Sequence, residues 1–142
     1  DEYSVIDLYG TPTLLTHGDL LCTDDLAYQD FRVKSRSKEW QDNVRSKPLI
    51  LRLLFARWYR LRSFFHKRKK SQVIMDVNLK TVESVMSQYN ATRLIHGHTH
   101  RQAIHDFQIQ GKPAQRFVLA EWTKENTSLL RWDINGYQVE PL

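Results

Sequence analysis

Twice in this chain an apolar run ends abruptly in His-Gly. Leu14, Leu15 and Thr16 lead into His17-Gly18-Asp19, and Leu94 and Ile95 lead into His96-Gly97-His98-Thr99-His100. Half of the six histidines fall in the second stretch. Short apolar runs bounded by glycine read as strands, so both histidine groups sit at strand ends. In open α/β and related sheets, strand ends are where sites are built. Two such ends from distant parts of one chain predict one convergent site.

In an extended segment, residues two apart point to the same side. His98 and His100 then form a pair, and Gly97 lets the backbone turn tightly and approach a ligand. Neutral imidazole suits manganese, iron, zinc, nickel and copper alike, so histidine by itself does not name a metal. The other reading of the same residues is a solvated or hydrogen-bonded histidine cluster. For His17 the alternative is an ordinary turn histidine. Asp19 reads as a carboxylate that orients a histidine, or as a cap.

The surrounding pattern predicts strands, then a helical block, then strands. "YSVIDLY" and "TPTLLTH" flank the turn signal Gly10-Thr11-Pro12 and read as a hairpin. Residues 24–36 read as a helix capped by Asp24 or Thr23. The clearest helix covers 48–65, with Pro48 near its start. There Leu51, Leu54, Trp58, Leu61 and Phe65 make one apolar stripe at spacings of 3 and 4. Residues 71–90 read as a further helix. The remainder reads as strands over 92–97, 103–110, 116–123, 127–134 and 137–142, with turns at Gly111-Lys112-Pro113 and Asn135-Gly136. The expectation is one domain, residues 1–142, whose β-rich body is interrupted by a helical insertion over about 27–72, a common place for a lid.

Charge follows the same division. Between Asp42 and Asp76 lie ten Lys/Arg and no acid, whereas the other eleven bases face sixteen acids. A mildly acidic body carrying one basic segment points to a local anionic partner: phosphates, anionic lipid or nucleic acid. The plain alternative is a solvated basic face, with the apolar stripe as ordinary core. No nucleic-acid motif accompanies the basic segment, so no nucleic-acid partner is expected. The single cysteine, Cys22, excludes an internal disulfide framework.

"THGD", followed after a helical interlude by "IHGHTHR", resembles the C-terminal half of the calcineurin-like metallophosphoesterases. The resemblance implies a sandwich of two sheets flanked by helices and two divalent metal ions, manganese being the expected one. It also implies that His17, His98 and His100 are metal ligands and catalytic residues. His96 precedes the matching motif and reads as a packed, structural histidine. Longer phrases, "HGDLLCTDDLAYQDFR", "KSQVIMDVN" and "LIHGHTHRQAIH", narrow the resemblance to the branch that hydrolyses UDP-2,3-diacylglucosamine in lipid A biosynthesis. That branch carries a helical lid. Matching positions imply substrate contacts at Asp25, Ser63, Lys70 and His98, with Lys67 less closely matched and Tyr28 and Arg60 in similar surroundings. The implied products are UMP and 2,3-diacylglucosamine 1-phosphate, and the implied setting is the cytoplasmic face of a bacterial inner membrane. Other metallophosphoesterase substrates, or a basic membrane-binding module without catalysis, are the competing readings. The sequence departs from the branch at Ala120-Glu121-Trp122, where Gly-Ala-Trp is usual, and at Gln102, where proline is common.

Three further motifs of the superfamily, D-x-H, G-D and G-N-[HR]-D, have no counterpart in these residues. The chain therefore reads as the C-terminal part of a longer enzyme. The 142 residues by themselves are expected to hold at most one weakly bound metal and to turn over no substrate. Mn²⁺ titration and an activity assay on the isolated chain check this; full turnover overturns it.

Overall fold

The structure is a computed structural model describing residues 2–69, 75–123 and 127–141, with 64–69 described for their backbone only. In chain order its elements are β1 (Tyr3–Leu8), β2 (Thr11–Thr16), a 3₁₀ turn (Asp19–Leu21), α1 (Leu26–Arg36), α2 (Lys38–Arg45), α3 (Leu49–Lys69), α4 (Leu79–Gln88), β3 (Arg93–His96), β4 (Ala103–Ile109), β5 (Lys112–Val118), β6 (Ser128–Asp133) and β7 (Gly136–Pro141). They fall into two compact units, Asp1–Leu21 with Val77–Leu142, and Cys22–Asp76. The fold is mixed α/β, as the sequence pattern predicts.

The first unit is built on a five-stranded mixed sheet in the order β1-β2-β3-β5-β4. β1 and β2 pair antiparallel as expected, but the turn is Tyr9-Gly10, both at positive φ, and Thr11 and Pro12 of the expected turn belong to β2. Positive φ at both turn positions is the backbone sense whose twist matches flanking strands. β3 then lies between β2 and β5 and runs parallel to both. A central strand flanked by parallel neighbours reads as a short apolar run rather than an alternating one. The core includes Leu14, Leu94 and Phe117, together with Val82 and Met86, one turn apart on α4.

A second, two-stranded sheet, β6-β7, packs by aromatic contacts. Phe117 meets Trp132 and Tyr137 edge-on at 5.1 and 4.9 Å. The Arg93 guanidinium lies 4.0 Å over the Trp132 ring, a cation–π contact. One departure from the branch pattern ties into β6, since Gln102 donates to Ser128 Oγ; so does Trp122, which follows the pattern, its indole N–H donating to the Ser128 carbonyl.

Several expected boundaries move, each for a local reason. Of the helix expected over 71–90, residues 71–74 lie outside the described residues; 75–78 are not helical, and α4 begins at Leu79, where Asn78 Oδ1 accepts the Thr81 N–H at 3.1 Å and caps the helix. It ends in a Schellman motif: Asn90 has φ 50, its N–H bonds Ser87 O, and the Ala91 N–H bonds Met86 O. The β4–β5 turn is Gln110-Gly111, at φ 50 and 76, so Lys112 and Pro113 belong to β5. Pro113 is tolerated because it pairs only with Gln108, beyond the end of β3. β5 stops at Val118 rather than running to Thr123.

The second unit is helical. Asp25, not Asp24 or Thr23, caps α1 by accepting the Tyr28 N–H at 3.0 Å. Ser37 closes α1 and caps α2, an element the periodicity does not announce, since its apolar residues are only Trp40 and Val44. Phe31 of α1 meets Tyr59 of α3 at 5.2 Å. The expected α3 stripe does not form core in this unit: Leu51, Leu54, Trp58 and Leu61 are each at least half exposed. The Phe65 side chain lies outside the described residues. Among the described residues, no helix is long and apolar enough to cross a membrane.

Phe117 is the test of how the two sheets hold together. Phe117→Ala is expected to cost about 3–5 kcal/mol, the range for buried aromatic truncation. Urea unfolding measures it; a loss under about 1 kcal/mol would show that the aromatic cluster is not what secures the hairpin.

Candidate metal and phosphate site

Parallel pairing of β2 and β3 brings the two His-Gly elements together. Thr16 is in register with His96, so His17 and Gly97 leave the sheet side by side. The Gly97 N–H donates to the His17 carbonyl at 3.1 Å, extending the ladder past both strands. The approach is close enough to require glycine. Gly18 has φ 104, and a Cβ there would stand 2.8 Å from His96 Nδ1 and 3.1 Å from the Gly97 carbonyl. His96 is 1% exposed and has no room to retreat.

Beyond the strands, the His17 and His98 rings meet at 5.0 Å between centroids, nearly edge to face. His17 Nδ1 lies 3.1 Å from Oδ1 of Asp19, whose side chain is buried while that of His17 is largely exposed. A carboxylate only accepts, so in neutral His17 the proton sits on Nδ1 and the lone pair on Nε2. A carboxylate behind an imidazole is the usual arrangement for a histidine that binds metal. Asp19 thus takes the orienting role open to it in the sequence.

The strand argument for His98 and His100 needs correction. β3 ends at His96, and His98 and His100 have φ 64 and 55. Neither residue is extended, so strand alternation does not place them. Positive φ at non-glycine residues costs energy and clusters at functional sites. The structure brings His98 to His17; His100, like His17, is solvent-exposed. Among the described residues, no three His, Cys, Asp or Glu side chains form a group able to hold a metal ion. His96 is the structural residue the sequence suggests: its ring is buried, with Nδ1 2.9 Å from Gly97 O and Nε2 3.3 Å from Arg116 Nη1. Arg116 is a residue that sequence reasoning missed. It lies in a strand, far from any motif, and only pairing with β3 reveals it.

Within the helical unit, Asp25, Tyr28, Arg60 and Ser63 line one cavity of about 610 Å³, with Phe31 and Tyr59 on its wall. Four positions singled out as substrate contacts therefore share a cavity. The Lys67 side chain and Lys70 lie outside the described residues.

The mixed sheet, flanking helices and strand-end histidines are consistent with part of a metallophosphoesterase fold. The chain is homologous to curated proteins named UDP-2,3-diacylglucosamine hydrolase. It is 43% identical over 146 residues to the one from Xanthomonas campestris pv. campestris, covering 98% of this chain and 59% of the relative. It is 45% identical over 122 residues to the one from Marinobacter nauticus, covering 86% of this chain and 50% of the relative. The Xanthomonas axonopodis pv. citri protein is 43% identical over 146 residues. The chain thus spans 59% or less of the length of these relatives. No family model matches it.

Gly18→Ala is expected to destabilise the protein by about 1–3 kcal/mol, from backbone strain alone, before the clash with His96 is counted. Thermal unfolding, with the His96 ring proton shifts as a local probe, measures it. An unchanged melting temperature would mean that the two loops are not interlocked.

Proposed function

We propose that the protein acts as a UDP-2,3-diacylglucosamine hydrolase in lipid A biosynthesis, giving UMP and 2,3-diacylglucosamine 1-phosphate. One observation carries the reading. In a chain 43% identical to proteins of that name, two loops distant in sequence meet so that His17 and His98 adjoin, 5.0 Å apart.

The residues fit a divalent metal as part of a ligand set. His17 is backed by a buried carboxylate that leaves Nε2 as the donor, and His98 stands beside it. His17 and His98, with His100 as a third candidate, would hold metal, two ions of Mn²⁺ being the cofactor proposed. Bound there, divalent ions supply Lewis-acid stabilisation of charge on the transferring phosphoryl group. The chain's own residues do the rest. Asp19 fixes the His17 tautomer. His98 is proposed to touch the substrate as well. Ser63 and Arg60 donate to phosphate oxygens, for which a fixed guanidinium fork is well matched. Asp25 and Tyr28 complete the cavity, and Lys67 and Lys70 are proposed as further cationic contacts. The helical unit is the proposed lid.

Exposed Leu49, Ile50, Leu53, Leu54, Trp58 and Leu61 on α3, interleaved with Arg52, Arg57 and Arg62, support a peripheral place on the cytoplasmic face of the inner membrane. Basic residues near an anionic surface contribute about 1 kcal/mol each. The same surface is the specific observation behind a second reading, a membrane-binding module without catalysis.

Substitution at the histidines in the complete protein separates the two. His17→Ala and His98→Ala are expected to lower hydrolysis at least about a hundredfold, since even residues that only orient metal ligands act on that scale. Binding to anionic vesicles should persist. Chelation should abolish hydrolysis and Mn²⁺ restore it. Wild-type hydrolysis in both variants would remove His17 and His98 from the catalytic machinery, whereas a complete wild-type protein that binds vesicles but hydrolyses no substrate with Mn²⁺ present would overturn the hydrolase reading and leave the binding module.

A further inference from the structure

His98 sits at the apex of a strained turn. The Thr99 N–H donates to the Gly97 carbonyl at 2.8 Å, and His98 between them has φ 64. A bond from residue i+2 to i across a positive-φ residue is the rare, strained kind of γ-turn. Such a turn persists only where its surroundings hold it.

The Gly97 carbonyl has a second partner. His96 Nδ1 lies 2.9 Å from it, and a carbonyl only accepts, so the ring donates. The other ring nitrogen decides whether it is able to do so. His96 Nε2 lies 3.3 Å from Arg116 Nη1. A guanidinium has donors and no acceptor, so Nε2 must carry the lone pair and Nδ1 the proton. Arg116 thereby selects the tautomer that anchors Gly97. The register explains how it reaches: Arg116 pairs with Leu94, two residues before His96, so both side chains stand on one face of the sheet. Both are buried, Arg116 at 4% and His96 at 1% exposure. Gly18 closes the other side of the ring.

We infer that Arg116 is a positioning residue: through the His96 tautomer it fixes the Gly97 carbonyl, and so the turn that presents His98 to His17. The inference rests on the reading of His98 as a metal ligand. Its local part, the relay from Arg116 to Thr99, is testable without metal.

Two variants of the complete protein test it. Arg116→Met removes every side-chain donor at similar length; Arg116→Lys keeps a cationic donor group, an ammonium with no acceptor. Titration with Mn²⁺ alone is expected to show affinity about ten- to a hundredfold weaker in Arg116→Met, the scale for residues that orient metal ligands, and largely recovered in Arg116→Lys. In metal-free protein, amide exchange by NMR compares Thr99 with Gln115, whose N–H bonds the Thr92 carbonyl in the same sheet. Arg116→Met should speed Thr99 at least tenfold more than Gln115, whereas Arg116→Lys should not. Equal acceleration of the two amides, or unchanged Mn²⁺ affinity beside a lowered melting temperature, would reduce Arg116 to a structural residue. In the wild type, ¹⁵N shifts of the His96 ring report the tautomer directly: Nδ1–H is expected, and Nε2–H overturns the relay even if Arg116→Met fails to fold. Should the wild type bind no Mn²⁺ through His98, the metal reading fails, while the exchange and ring-nitrogen results still decide the relay.

Discussion

The parallel pairing of β2 with β3 is the constraint on which the rest depends. It sets Thr16 beside His96, and one more ladder bond, Gly97 N–H to His17 carbonyl, carries the pairing past both strands. A parallel pair needs a long crossover between its strands. Here the chain between β2 and β3 contains the whole helical unit and α4. The crossover that the sheet demands is thus where the chain carries its basic charge, its exposed apolar helix and the cavity of Asp25, Tyr28, Arg60 and Ser63.

Around that pairing, the polar groups are ordered from the interior outward. Arg116 and His96 are buried, the Gly97 carbonyl lies at the sheet edge, and His98 and His17 stand beyond it. Buried polar groups are expensive unless each has a partner, and a connected network specifies one arrangement. The Asp19 carboxylate does for His17 what Arg116 does for His96, with the opposite polarity. An acceptor behind His17 puts the proton on Nδ1 and leaves Nε2 for a ligand; a donor behind His96 puts the proton on Nδ1 and spends it on the backbone.

Strand ends and their glycines were legible residue by residue, whereas the caps of α1 and α4 and the exact turn residues were not. The β1–β2 hairpin, the strand ending at the histidines and the succession of strands, helices and strands follow from local pattern. Errors came where a side chain overrode periodicity. Asn78 caps α4 so that it starts at Leu79, with 75–78 of the expected helix not helical, and the Gln110-Gly111 turn moves β5 toward its proline. The α2 helix was missed because it buries almost nothing of its own, with only Trp40, Gln41 and Val44 half-buried.

The sequence by itself determined that two His-Gly elements end two apolar strands and that the region between them is helical and basic. Those are local facts: runs, spacings and turn residues. Only the tertiary structure decided that His98 adjoins His17, that the backbone there leaves the extended region, and that Arg116 stands behind His96. Each depends on strand register, which joins residues far apart in the chain and leaves no mark in the spacing of either segment.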